Sequence, residues 1–186
     1  KLTEQVTVFA LYNPPVENLT VANLQALYTT ASAKLTEVEY QRNANKYTIA
    51  VRQTTFGNLK STCTRIINLL NILGLPPGTL DQAKSLNRSI QGGQKTTTKI
   101  PETPDNGQPS PMNQISTSRQ SYTQKAVNFG ILLQLLETIP TYTPNEDDLK
   151  LPNLTTYQAS LMSVTQAVDQ TEAQLNAKFI ERDQIL

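Results

Sequence analysis

The sequence predicts an all-α protein, an elongated up-and-down bundle of about four helices, two of them long and two shorter. Apolar residues recur three and four positions apart over long stretches of the 186-residue chain, which is the periodicity of an amphipathic helix. Apolar residues make up only 38% of the chain and Trp is absent. We therefore expect burial along helix seams, within a single helical domain over residues 1–186.

The first long helix is predicted over residues 20–55. Its seam comprises Leu24, Leu27, Ala31, Leu35 and Val38. Thr20 suits the N-cap position, where its hydroxyl would accept a bond from a first-turn amide. Polar residues at 41–46 interrupt the seam, which predicts a bend or a polar contact. Because neither Pro nor Gly follows before Gly57, one long helix is favoured over two.

A second, more apolar helix is predicted over residues 58–73. Its apolar stripe includes Phe56, Leu59, Cys63, Ile66, Leu70 and Leu73. Gly74 suits a left-handed residue after the helix, and Pro76 and Pro77 prevent its continuation. Since Cys63 lies on the apolar stripe, we expect a buried structural thiol.

Residues 74–114 are predicted to form a long crossover. A short helix is expected at 80–90, and the Gly and Pro residues from Gly92 to Pro111 are typical of a linker. The third helix should begin at Ser116 or Ser118 and end before Pro140. The fourth is predicted over 151–186, where its regular stripe gives a helix roughly 50 Å long.

A degenerate repeat relates the two halves of the sequence. The segment Tyr12-x-Pro14 with Leu19, Val21, Asn23 and Leu24 aligns without gaps to Tyr142-x-Pro144 with Leu149, Leu151, Asn153 and Leu154. Each copy predicts a Pro-containing turn followed by a long helix. The repeat units are placed at about 12–73 and 142–186, and Val6–Leu11 should be the tail of a helix like the third.

The residues around the second copy resemble a group of uncharacterised bacterial helical proteins. The resemblance lies in Ile115-Ser116-Thr117-Ser118-Arg119-Gln120-Ser121-Tyr122, in Asn128-Phe129, and in Tyr142-Thr143-Pro144-Asn145-Glu146. It covers about residues 113–165, and Pro15 departs from the motif in the first copy. The resemblance implies a helical fold and a bacterial source, and it implies no catalytic residue.

The residue types argue against catalysis. The chain has no His and one Cys, which removes the commonest general base, thiolate metal sites and internal disulfides. The acidic run Glu146-Asp147-Asp148 lacks the spacing of a calcium loop, and carboxylates near the start of a helix are favoured by its dipole. We therefore expect no enzymatic activity, no cofactor and no metal.

The charge distribution leaves a second function open. Residues 42–99 carry nine basic residues and only Asp81 as an acid. This bias is typical either of a basic helix beside acidic neighbours or of a surface that binds nucleic acid or another polyanion. The candidate anion contacts are Lys84, Arg88, Lys95 and Lys99.

The leading hypothesis is a structural or protein-interaction module that belongs to a larger assembly or a homo-oligomer. The candidate partner-binding residues lie near the two ends of the chain: Val8, Phe9, Leu11, Phe179, Ile185 and Leu186. No apolar stretch is long enough to span a membrane, and the first residues do not resemble a signal peptide. The single cysteine slightly favours a cytoplasmic location.

Overall fold

The computed structural model describes residues 12–92 and 121–185, together with residues 4, 5 and 8. The described residues form an all-α helical bundle with no strand. Its α-helices are α1 (Val21–Phe56), α2 (Leu59–Ile72), α3 (Pro77–Gln91), α4 (Tyr122–Glu137) and α5 (Leu151–Asp183). Because only Gly57 and Asn58 separate α1 from α2, residues 12–92 and 121–185 contain two long and two shorter helical stretches, as predicted.

The helix boundaries follow local chemistry. Gly74 after α2 and Gly92 after α3 both adopt left-handed backbone angles, with φ of 64° and 82°. Pro77 is the first residue of α3. Proline lacks a backbone N–H, and at this position an N–H would have no acceptor within the helix. The hydroxyl of Ser121 accepts the amide of Gln124 at 3.1 Å and so caps α4.

The predicted N-cap of α1 is wrong. The hydroxyl of Thr20 does not cap the helix: it donates to the carbonyl of Glu17 at 2.9 Å. The carbonyl of Thr20 accepts the first helical bond from the amide of Leu24, also at 2.9 Å. The position of the boundary was therefore correct, but a preceding 3-10 turn, Glu17–Leu19, organises it.

Part of the predicted crossover belongs to the core. The expected short helix is present as α3 and begins three residues earlier than predicted, at Pro77. Ala83 and Ile90 on this helix are fully buried in the main apolar cluster. Residues 93–114 of the crossover lie outside the described residues.

The chain divides into two compact units. The first comprises Lys1–Arg52 and Gln166–Leu186, and the second comprises Gln53–Thr165. The prediction of one domain over 1–186 and the repeat boundaries at 12–73 and 142–186 stay predictions.

The second unit holds the apolar core. It is built from α2, α3, α4 and the beginning of α5, and its largest fully buried side chains are Leu59, Ile66, Leu70, Ile90, Phe129, Leu132, Leu136, Leu154 and Leu161. The rings of Phe129 and Tyr157 pack edge to face at 5.8 Å. Cys63 is buried in this cluster, in agreement with the predicted structural thiol.

The first unit is held largely by polar contacts. Among its described residues, only Val38 and Val168 are buried. Asn45 accepts a hydrogen bond from Thr171 at 2.9 Å, and Thr48 lies 2.8 Å from Thr171. The polar contact expected at residues 41–46 is therefore present, because α1 and α5 pair there through amide and hydroxyl groups.

The core can be tested with two substitutions of one residue type on one helix. Ile66 on α2 is fully buried, whereas Ile72 is 81% exposed. Ile66→Ala should lower the free energy of unfolding by about 2–5 kcal/mol, because it removes packed methylene groups and leaves a cavity. Ile72→Ala should change it by less than about 0.5 kcal/mol. Chemical denaturation of both variants measures the difference, and equal effects would contradict this core.

Candidate functional site

The two copies of the sequence repeat form turns with corresponding hydrogen bonds. We call Glu17–Leu19 with its preceding residues 12–16 the first turn, and Asp147–Leu149 with residues 142–146 the second turn. The hydroxyl of Tyr12 donates to the carbonyl of Leu19 at 2.7 Å. The hydroxyl of Tyr142 donates to the carbonyl of Leu149 at 2.9 Å. In both copies the tyrosine thus closes the same eight-residue segment.

The bonds that lead from each turn into its helix also correspond. The side chain of Asn23 donates to the carbonyl of Glu17 at 2.7 Å, and that of Asn153 donates to the carbonyl of Asp147 at 2.6 Å. The same two carbonyls accept the amides of Thr20 and Lys150. The structure therefore repeats this local geometry at an interval of 130 residues, as the alignment of the two segments predicts.

The two turns differ in burial. Tyr142 and Leu149 are 6% and 3% exposed, because the second turn packs in the core of the second unit. The corresponding Tyr12 and Leu19 are 37% and 47% exposed. Leu154 on α5 is buried, whereas its counterpart Leu24 on α1 is only partly covered. The same turn is thus a core element in one unit and a surface element in the other.

Several apolar side chains in the first turn and at the beginning of α1 are partly exposed. Besides Tyr12 and Leu19, Val16 in the turn and Leu27 one helical turn beyond Leu24 are about half exposed. We call this surface the first-turn face and define it as Tyr12, Val16, Leu19, Leu24 and Leu27. The seam pattern of the sequence includes Leu24 and Leu27, but it gives no signal that they stay partly uncovered.

An ion pair distinguishes the second turn from the first. The guanidinium of Arg65 on α2 contacts the carboxylates of Glu146 and Asp148, the latter at 3.0 Å from Nη2 to Oδ1. This bond holds the pKa of Asp148 below its usual value and raises the pKa of Arg65. The carboxylates therefore have a structural partner. At the corresponding positions the first turn carries Val16 and Asn18, so it lacks this acidic pair.

The partner-binding residues predicted near the chain ends lie in different surroundings. Val8 is helical and 82% exposed. Phe179 is partly buried, with the guanidinium carbons of Arg42 and Arg182 at 5.7 and 5.1 Å from its ring centroid. Ile185 is partly buried as well. Phe9, Leu11 and Leu186 lie outside the described residues.

The basic stretch is partly neutralised by carboxylates. Arg42 pairs with Glu39, and Arg65 pairs with the second turn. Lys84 and Arg88 lie four residues apart on α3, the first partly buried and the second exposed. Lys95 and Lys99 lie outside the described residues. The structure therefore brings only the first two of the four predicted anion contacts onto one described helix.

The described residues offer few groups for covalent or metal chemistry. Burial raises the pKa of the Cys63 thiol to about 12, so the reactive thiolate is scarce at neutral pH. Over residues 12–92 and 121–185, no three Cys, Asp or Glu side chains are grouped so that they could hold a metal ion. Within the same ranges, no helix is both long and apolar enough to cross a bilayer.

Comparison with known proteins identifies no relative. The sequence matches no protein-family model, no curated protein and no solved structure at a significant level.

The hydrogen bond by which each tyrosine closes its turn can be tested by removing one hydroxyl at a time. Tyr142→Phe leaves the carbonyl of Leu149 without its donor inside the core, so we expect a loss of about 1–3 kcal/mol in the free energy of unfolding. Tyr12→Phe removes the corresponding bond at the surface, where water replaces it, and should cost less than about 0.5 kcal/mol. Denaturant titration of both variants measures the two losses in the free energy of unfolding. Equal losses would contradict the difference in burial between the two turns.

The burial of Cys63 predicts slow thiol chemistry. Because the pKa of the thiol is raised, folded protein at pH 8 should react with dithionitrobenzoate far more slowly than protein unfolded in guanidinium. Absorbance of the released thiolate measures both rates on one sample. Reaction of the folded protein at the unfolded rate would show that Cys63 is accessible.

Proposed function

We propose that this protein is a structural, non-catalytic helical module that self-associates through the first-turn face. One observation carries the proposal: the counterparts of Tyr12, Leu19 and Leu24 at the second turn are buried under other helices of the same chain. Tyr142, Leu149 and Leu154 belong to the cluster that α2 and α4 complete. A turn of the same geometry with its apolar side chains half exposed is therefore suited to bind a further helix.

The apolar area gives this face a driving force for association. Full burial of a Leu or Val side chain contributes about 1.5–3 kcal/mol relative to exposure. Val16, Leu19 and Leu27 retain about half of their exposure in the isolated chain. Covering them in both copies would offset part of the entropy lost when two molecules associate. Val8 is also exposed, and we include it in the proposed interface.

The charge pattern favours a second copy as the occupant. Between residues 12 and 33, Glu17 is the only charged residue. Two identical faces can therefore meet about a twofold axis with little like-charge repulsion. A twofold axis is the commonest symmetry of homo-oligomers. The basic residues of the chain lie elsewhere, so they do not oppose this contact.

The chemistry of the described side chains supports a non-catalytic role. The chain has no His, its only thiol is buried, and Glu146 and Asp148 are engaged by Arg65. The proposed interface also includes the remaining predicted partner residues: Phe9, Leu11, Phe179, Ile185 and Leu186. The implied likeness to uncharacterised bacterial helical proteins is compatible with such a module.

Polyanion binding is a second candidate function. Lys84 and Arg88 project from α3 at a spacing that places both on one helical face, and neither pairs with a carboxylate among the described residues. Together with Lys95 and Lys99 they would contact phosphate groups. Such binding should weaken steeply as salt is raised, because phosphate contacts release counterions.

Self-association can be tested with one variant and a matched control. Sedimentation of the wild-type protein over micromolar concentrations should show the mass rising from 20.6 kDa towards the dimer. Leu27→Glu should shift the protein to the monomer, because it places a charge in the first-turn face. Ile72→Glu, at a more exposed site on α2, should leave association unchanged.

Two results would contradict the proposal in different ways. A wild-type protein that stays monomeric throughout the concentration range would show that the chain does not self-associate. Equal weakening by Leu27→Glu and Ile72→Glu would show that the protein associates through another surface. Circular dichroism of each variant checks that the helices are retained.

A further inference from the structure

A cleft in the second unit brings two lysines together beside the beginning of α4. It lies where α1 ends and α2 begins, beside the first turn of α4, and has a volume of about 210 Å³. Its lining residues are Gln53, Phe56, Gly57, Leu59, Lys60, Tyr122 and Lys125. Lys60 and Lys125 are more than sixty residues apart in the sequence, so only folding of the chain places them at one site.

The electrostatics of the cleft favour an anion. None of its lining residues is acidic. Tyr122 is the first residue of α4, and the beginning of a helix carries partial positive charge. At the junction of α1 and α2 the end of one helix meets the beginning of the next, so their opposite partial charges offset each other. The two ammonium groups and the beginning of α4 therefore contribute potential of the same sign.

The ammonium groups of both lysines can donate further hydrogen bonds. The ammonium of Lys60 donates to the carbonyl of Gln91 at 2.9 Å, and that of Lys125 lies 5.7 Å from the ring centroid of Tyr122. Neither pairs with a carboxylate in the part of the chain that the structure describes. Desolvation, followed by the charge of Lys60, lowers the pKa of Lys125. A bound anion would compensate both effects, because it neutralises the cluster and replaces lost hydration.

The rest of the cleft is apolar and partly aromatic. The rings of Phe56 and Tyr122 pack edge to face with centroids 4.8 Å apart, and Leu59 lies beside them. Such a surface packs against an apolar or aromatic group, while the lysines bind an anionic group. The two halves of the cleft thus suit a ligand that is anionic at one end and apolar at the other.

We propose that this cleft binds a small organic anion, a phosphate monoester or carboxylate attached to an apolar ring or short chain. Lys60 and Lys125 contact the anionic group, and Phe56, Leu59 and Tyr122 pack against the apolar part. The site shares no residue with the first-turn face, and the proposal does not depend on self-association. It also differs from the predicted polyanion surface, since its ligand lies in a cleft and contacts apolar side chains as well as lysines.

Calorimetric titration with phenyl phosphate at low ionic strength tests the assignment. The wild-type protein should bind with one site per chain, and inorganic phosphate should bind more weakly because it lacks the ring. Lys125→Gln and Lys60→Gln should each weaken phenyl phosphate binding by about tenfold or more, because each removes a charged donor. Lys46→Gln, an exposed lysine of the first unit, is the matched control and should bind like the wild type.

Three outcomes would overturn the assignment. The first is the absence of saturable binding by the wild-type protein. The second is wild-type affinity in both cleft variants while their melting temperatures show intact folding. The third is equal affinity for inorganic phosphate and phenyl phosphate, which would remove the apolar half of the site.

Discussion

The turn closed by a tyrosine hydroxyl is the local constraint that precedes each long helix, α1 and α5. A hydroxyl that reaches seven residues ahead to a backbone carbonyl fixes the path of the chain just before α1 and again before α5. Because these bonds form in an exposed copy and in a buried copy, the local sequence specifies the turn and the core does not impose it. Tertiary packing is then free to differ, and it does: α2 and α4 cover the second turn, whereas the first-turn face stays half exposed.

Helical periodicity predicted most of this fold because the relevant contacts are local. The spacing of apolar residues gave the long helices, and the Gly and Pro residues gave their ends. The differences arose where the partner of a residue does not follow from the spacing of apolar residues or from capping preferences. Residues 74–114 were predicted to form a crossover with a short helix, yet Ala83 and Ile90 pack into the core, since a few buried side chains suffice to dock a short helix. The hydroxyl of Thr20 found a carbonyl in the preceding turn, which no capping preference encodes.

The candidate sites were less predictable, for a physical reason. Leu24 and Leu154 occupy the same position in the repeat and differ in burial, so residue type and spacing cannot separate a core seam from an exposed face. Charge was similarly ambiguous. Arg65 contributes to the basic stretch in the sequence, but carboxylates more than eighty residues away neutralise it. Lys60 and Lys125 form one cluster only because α2 and α4 begin beside each other.

The contrast between the two units links stability to assembly. Beside its two buried valines, the first unit relies on the ion pairs of Lys34, Glu37, Lys178 and Glu181 and on amide and hydroxyl contacts. Partly exposed ion pairs contribute little, because solvent screens them and long side chains lose entropy in forming them. Additional apolar burial is therefore what this unit lacks. A partner that covers the first-turn face supplies such burial, and by mass action any ligand that binds only the folded state also stabilises it. Exposure of that face thus has a thermodynamic consequence as well as a geometric one: the unit with the leaner core is the one that gains most from being bound.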